Sequence, residues 1–280
     1  LVFTDPPLGR FAPVPAMATV AAATRTLRVG TYVINNDFRH PAVLAADLAT
    51  IDVLSEGRLE IGIGAGWNRS EYEQSGIPLD PVGVRIGRME EAITVLKGLF
   101  AEGPFSFRGK HYTITGLSGL PKPVQKPHPP FRGGGGGRRV LTIGAREADM
   151  IGLAPRVGGS GGPDIESALL PATVEKVGWI REAAGDRFAA IELSTYPGLE
   201  NPLLTDDDRP ALEKLAARIK TDYGVEVGIE QLRESPHVFI GSIDFLVEKL
   251  RHLRATLGIS HMMAGQIAAP APVVERLAGT

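Results

Sequence analysis

The chain has 280 residues, 43% hydrophobic and 22% charged, an ordinary profile for a soluble globular protein, and its length fits one large barrel or two smaller domains. The net charge of −2 removes a global electrostatic case for nucleic acid, and the absence of cysteine excludes disulfides and thiolate chemistry and agrees with a cytoplasmic setting. No apolar run reaches about 18 residues, so no membrane span is expected, and no basic segment followed by an apolar one marks a signal peptide. The chain opens directly in the apolar run Leu1-Val2-Phe3, so an upstream piece is expected.

In chain order, Leu1 to Thr4 reads as a strand ending at Asp5-Pro6-Pro7, followed by an Ala-rich helix from Pro15 to Thr24. Leu27 to Ile34, rich in β-branched residues, reads as one strand, which Asn35-Asn36-Asp37 ends with turn formers. Pro41 suits a first helical turn, Leu44, Leu48 and Ile51 give that helix its apolar stripe, and Gly57 stops it. Arg58 to Gly64 alternates as a strand. Residues 85–100 form the clearest helix, with Ile86, Met89, Ile93, Leu96 and Phe100 recurring every three or four residues, and Arg85, Arg88, Glu90, Glu91 and Lys97 on the wet face.

Residues 101–129 break this rhythm with aromatics, glycines and prolines, and are expected as a rim excursion. A short apolar run then leads through five glycines into a helix (Val140, Leu141, Gly144, Ala145, Ala148) and a strand, Asp149 to Ala154. A second glycine-rich loop (Gly158 to Pro163), a helix to Ala184, a strand from Ala189 to Tyr196 and a helix capped by Thr205 to Asp208 follow. The Asp run reads as compensation of the helix dipole rather than a metal site. Ser242 caps a helix striped by Leu246, Leu250, Leu253 and Leu257; Ile259 to Met263 is the last strand and 270–279 a closing helix.

Strand and helix alternate, which implies a parallel sheet with helices outside, and early units return every 25 to 35 residues, as a TIM-like (β/α)8 barrel requires. A doubly wound sheet is the alternative. Seven strands are legible, and the first β/α unit is expected upstream of Leu1.

Gly133, Gly134, Gly135, Gly136 and Gly137, followed by Arg138 and Arg139, sit between a strand and a helix N-terminus. Such a corner aims N–H groups and a positive dipole at one spot and suits a phosphate, although the spacing is neither P-loop nor GxGxxG and a flexible linker is the plain alternative. Gly64-Ala65-Gly66 at a strand end would let a flat ligand approach, with Trp67 as a wall; the alternative is a tight turn. Asn35 and Asn36 offer amides to a heterocycle edge or cap a turn, and His40 is a cap or a proton carrier. No HExxH, CxxC or His/Asp cluster points to a metal, and no Ser-His-Asp arrangement can be drawn.

These motifs resemble the luciferase-like monooxygenase superfamily, specifically its F420-dependent oxidoreductases. The resemblance is carried by Val29-Gly30-Thr31 through Asn36-Asp37-Phe38-Arg39-His40-Pro41, by Gly57 through Trp67 with Glu71 and Gly76, by Arg85 to Phe100, by Pro129-Pro130 through Arg139 with Ala148-Asp149, and again by Ile240-Gly241 to His261. It implies a single barrel domain over 1–280 holding F420, or alternatively FMN, in its C-terminal mouth, with the phosphate at the glycine loop and the ring against the strand ends. It also implies a bulge with a non-prolyl cis peptide around Tyr32–Ile34. Members often carry Asp-His after the second strand; here the pair is Asp5-Pro6, so that His cannot be carried over, and Asp5, His40 and Glu71 are the candidate acids or bases.

The expected activity is hydride transfer between the deazaflavin and a small organic substrate. An FMN-dependent monooxygenase, a non-catalytic flavin- or deazaflavin-binding protein and a sugar-phosphate isomerase are the rivals. F420 has an anionic lactyl-glutamate tail, for which Lys122, Lys126 and Arg132 lie on suitable segments. The expected partner is a small-molecule substrate, with no nucleic acid or membrane and with a homodimer left open.

Overall fold

The computed structural model describes residues 1–3, 11–158, 162–265 and 270–278, and the chain falls into two compact units. The first comprises Leu1–Gly133 with Glu147–Asp149, the second Gly134–Arg146 with Met150–Thr280. Asp5 lies outside the described residues, as does part of the second glycine-rich loop.

The first unit runs β1 (Val2–Phe3), α1 (Pro13–Ala23), β2 (Val29–Thr31), β3 (Ile34–Asn35), α2 (Pro41–Leu54), β4 (Leu59–Gly64), α3 (Arg69–Ser75), α4 (Val82–Phe100), β5 (Phe105–Arg108), β6 (Thr113–Leu117) and β7 (Phe131–Gly135). β1 pairs with β2, β2 and β3 with β4, and β4 with β7, all in parallel. The single strand expected over Leu27 to Ile34 is two, because a cis Tyr32–Val33 peptide interrupts it. Leu44, Leu48 and Ile51 of α2, and Met89, Ile93, Leu96 and Phe100 of α4, are buried with Leu59, Ile61 and Ile63 of β4. Fully burying such a side chain is worth about 1.5–3 kcal/mol. α2 ends where Glu56 and Gly57 turn to positive φ, 54° and 80°.

The excursion at 101–129 holds an antiparallel hairpin, β5 on β6. Its turn is fixed from α4, where the Glu91 carboxylate accepts the N–H groups of Lys110, His111 and Tyr112 at 2.7, 2.8 and 3.1 Å. Burial alone would raise the Glu91 pKa, yet these donors hold it below its ordinary value. Further along, buried Asp52 accepts from Gln125 through the backbone N–H at 3.0 Å and Nε2 at 2.7 Å.

The second unit runs from the end of β7 through α5 (Arg138–Glu147), β8 (Met150–Leu153), α6 (Leu170–Ala184), β9 (Glu192–Thr195), β10 (Leu203–Leu204), α7 (Arg209–Tyr223), α8 (Ile229–Glu234), β11 (Ile240–Gly241), α9 (Ile243–Leu257), β12 (Ile259–Met262) and α10 (Ala271–Leu277). β8–β9, β9–β12 and β10–β11 are parallel pairs. Leu141, Ile151, Leu153, Val177, Ile180, Leu193, Leu253 and Ile259 form one core; Leu212, Leu215, Ile219, Leu232, Val238 and Ile240 form another under α7 and α8. Within the Asp run before α7, Asp207 Oδ1 accepts the Arg209 N–H at 3.3 Å, while Asp208 gives no side-chain cap bond and pairs through both oxygens with Arg233 at 2.8 Å.

Candidate functional site

In the first unit the sequence-predicted residues gather around Tyr72. Asn35 Oδ1 accepts the Asp37 N–H at 3.1 Å, and the Tyr72 hydroxyl lies 3.1 Å from that same oxygen and 3.0 Å from Asp37 Oδ2. One phenolic proton is therefore shared between two acceptors. Burial, with the Asp37 charge adding to it, raises the Tyr72 pKa to about 12, which keeps the phenol neutral. Arg88 donates to Asp37 Oδ1 at 2.8 Å and also pairs with Asp80. Arg85, only 7% exposed, donates to the Asp80 carbonyl at 2.8 Å, to the Ala65 carbonyl at 3.0 Å and to the Gly66 carbonyl.

This network explains the glycines of the 64–66 corner. A Cβ on Gly66, whose φ is +70°, would stand 2.0 Å from the Tyr72 hydroxyl and 2.7 Å from the Asn35 amide; one on Gly64 would meet Val33 Cγ2 at 2.4 Å. The room made by these glycines is taken by the protein's own side chains. Trp67 is 59% exposed. Glu71 turns locally, accepting from Asn68 Nδ2 at 2.9 Å at the start of α3.

Asn36 is 1% exposed, donates from Nδ2 to the Tyr112 hydroxyl at 3.2 Å, and leaves its buried Oδ1 without a protein partner. His40 caps α2, its Nδ1 accepting the Ala42 N–H at 3.2 Å, and its ring stands edge-on to Tyr112 with centroids 5.3 Å apart. The cations expected for an anionic tail are engaged within the unit: Lys122 Nζ donates to the Leu99 carbonyl at 2.9 Å, Lys126 pairs with Glu102 at 2.8 Å and Arg132 with Glu60 at 3.4 Å.

The glycine loop divides by position. Gly133, Gly134 and Gly135 are strand residues of β7, so the loop proper is shorter than the sequence suggested. A Cβ on Gly134 would meet the Gly152 carbonyl at 2.6 Å, and one on Gly136 would meet Arg156 N at 2.4 Å; Gly135, at φ +149°, would meet Val140 Cγ1 at 2.7 Å. Gly137 alone of these four has nothing within 4 Å of that position. Its carbonyl accepts the Leu141 N–H at 3.1 Å, which makes it the residue from which α5 starts. Arg138, expected with Arg139 beside a phosphate, pairs with Glu182 at 2.9 Å and lies over the Trp179 ring. Residues that sequence reasoning missed are Tyr72, Asp80 and Lys176. Lys176 is 1% exposed and donates to the carbonyls of Ala154 and Ser167 at 2.8 and 2.5 Å.

Among the described residues no group of three or more His, Cys, Asp or Glu is placed to hold a metal, and no helix is long and apolar enough to cross a membrane. An apolar cavity of about 310 Å³ in the second unit, lined by Leu204, Phe239, Leu246, Leu250, Val273 and Leu277 among others, contains none of the expected site residues.

The luciferase-like monooxygenase family matches residues 3–159. Over 128 residues the chain is 35% identical to the FMNH2-dependent dimethylsulfone monooxygenase of Pseudomonas putida, covering 46% of this chain and 35% of that protein. Over 121 residues it is 32% identical to the F420-dependent glucose-6-phosphate dehydrogenase of Amycolatopsis mediterranei (strain U-32), covering 43% and 36%. The match thus spans about a third of the length of these curated relatives. The coenzyme F420-dependent tetrahydromethanopterin reductase of Methanopyrus kandleri superposes with a TM-score of 0.71 at 17% identity, over 93% of this chain and 83% of that one. That likeness concerns the fold, an α/β chain with parallel strands similar to the TIM-barrel luciferase-like enzymes.

Proposed function

The chain belongs to the luciferase-like monooxygenase family, and from that premise we propose that it is an oxidoreductase that binds a phosphate-bearing deazaflavin, F420, and acts on a small organic substrate. The observation that carries the reading is the corner at Gly137, open to the outside at the start of α5 while Gly134 and Gly136 are packed against backbone. A helix start offers N–H groups that no intrahelical carbonyl can take, together with the positive end of its dipole. A phosphate fits that donor set, and Gly137 carries no side chain to block it. Gly136, Gly137 and the first turn of α5 would hold the group. When bound, a 5-deazaflavin exchanges hydride with an organic substrate and reacts poorly with dioxygen.

FMN with a monooxygenase reaction is the second reading, and one observation favours it: Lys122, Lys126 and Arg132 are all engaged in internal bonds rather than offered to an anionic tail. Titrating the purified protein with F420 and with FMN, following ligand fluorescence and competing with inorganic phosphate, separates the two. Tight F420 binding, and slow air oxidation of the reduced complex, is the expected outcome. Rapid oxygen consumption with reduced FMN and no F420 binding selects the second reading, and binding of neither ends both.

A further inference from the structure

The wall behind the glycine loop is the segment that follows β8. Ala154 donates its N–H to the Gly135 carbonyl at 3.1 Å. The backbone at Pro155 and Arg156 lies so near Gly136 that a Cβ there would come within 2.4–2.6 Å of it. Two of the ties that hold this segment lead to one side chain. The Ala154 carbonyl accepts from Lys176 Nζ at 2.8 Å; the Arg156 N–H donates to Ser167 Oγ at 2.6 Å, while the Ser167 carbonyl accepts from the same Nζ at 2.5 Å. An ammonium buried to 1% exposure carries a desolvation cost, which here is offset by bonds to backbone carbonyls of this segment rather than by a carboxylate.

We propose that Lys176 is a positioning residue of the glycine loop: its ammonium, through Ala154 and Ser167, fastens the backbone of Ala154–Arg156 against Gly135 and Gly136, so that the loop's N–H groups are set before an anion arrives. The inference rests on the reading of that loop as the phosphate site. Burial, with Arg156 adding a like charge, lowers the Lys176 pKa to about 8, while Asp164 and Glu175 act in the opposite sense. Arg156 and Asp164, paired at 3.0 Å, face Lys176 from the excursion, and the Lys176 charge also acts on His237.

The sign for folding and for function differ. An unfolded Lys keeps its proton to about pH 10.5 and the folded one to about 8, so the unfolded chain binds more protons between these values and Lys176 makes the fold more stable as pH rises through that window. The clamp, in contrast, loses its charge over the same range, so anion affinity falls.

The test compares the wild-type protein with Lys176→Met and Lys176→Arg. Backbone hydrogen exchange, corrected for the intrinsic pH effect, is read first because it needs no ligand. The amides of 135–139, 154 and 156–158 are expected to exchange at least tenfold faster in Lys176→Met, with those of β9 and α9 unchanged. Affinity for FMN and F420 is read second, between pH 7 and 9.5. Wild-type affinity is expected to fall severalfold across pH 8, Lys176→Arg to stay flat, and Lys176→Met to be at least tenfold weaker and flat. Unaltered exchange in Lys176→Met overturns the proposal whether or not either cofactor binds. Altered exchange with no wild-type binding of either cofactor keeps the clamp and removes the phosphate reading instead.

Discussion

Gly137→Asp is the sharpest test of the glycine corner, because it should move stability and affinity in opposite directions. Nothing lies within 4 Å of a Cβ at Gly137, and its φ is outside the left-handed range, so the side chain itself meets no steric cost. The residue precedes α5 and accepts the Leu141 N–H, and Asp is favoured over Gly at such a position by a few tenths of a kcal/mol, with a comparable gain from the helix dipole. Together these raise the melting temperature by about 1–2 °C in a chain of this size. A bound phosphate meets the new carboxylate at about 5 Å, and at an effective dielectric of 20–80 the repulsion is roughly 1–3 kcal/mol per charge pair. Affinity for FMN or F420 should therefore fall about tenfold or more, less steeply in high salt. Thermal unfolding and fluorescence titration read the two effects on one preparation. A variant that melts as expected and binds as the wild type does would remove this corner as the anion site, while Gly137→Ala should change neither by more than about 1 kcal/mol.

Gly66→Ala should cost about 2–4 kcal/mol in urea unfolding, combining a left-handed φ with a clash at the Tyr72 hydroxyl, and adding Tyr72→Phe should recover part of it; a strictly additive pair would refute the contact. Glu91→Gln should weaken three charge-assisted bonds and cost about 1–2 kcal/mol, with faster proteolysis at 108–112; unchanged cleavage there would argue against the anchor. His237 is fully buried, and desolvation lowers its pKa to about 4 from 6.5. The unfolded chain therefore takes up a proton below pH 6.5 that the folded one refuses until about 4, and up to about 3 kcal/mol of stability is lost as pH falls through that window. His237→Gln should flatten this slope, and an equal slope in the variant would assign the loss to other groups.

Legibility followed the reach of each interaction. The stripe from Met89 to Phe100 is local, and the structure buries it as the spacing requires. The same wheel put Arg85 and Arg88 on the wet face, but Arg85 is buried because the Ala65 and Gly66 carbonyls and Asp80 meet it there. Those partners stand up to 20 residues away along the chain, beyond what periodicity reports. The hairpin in 101–129 was hidden for a similar reason: Phe105 and Phe107 alternate too briefly to declare a strand, and the turn is set by Glu91 on a different element. The cis bond at Tyr32–Val33 leaves no mark in composition and was anticipated only through the family resemblance. For the glycine run, the residues announced a corner but not which glycine faces outward, since that depends on Gly152 and Arg156.

Glu91 also carries a consequence for exchange of the hairpin. The hairpin turn presents three backbone N–H groups to the carboxylate, and backbone is common to every sequence. A hairpin of different composition, with the same turn length, could dock on the same carboxylate. A foreign hairpin grafted across 105–117 with the same turn length is expected to dock on Glu91 and to leave the parallel strands as they are.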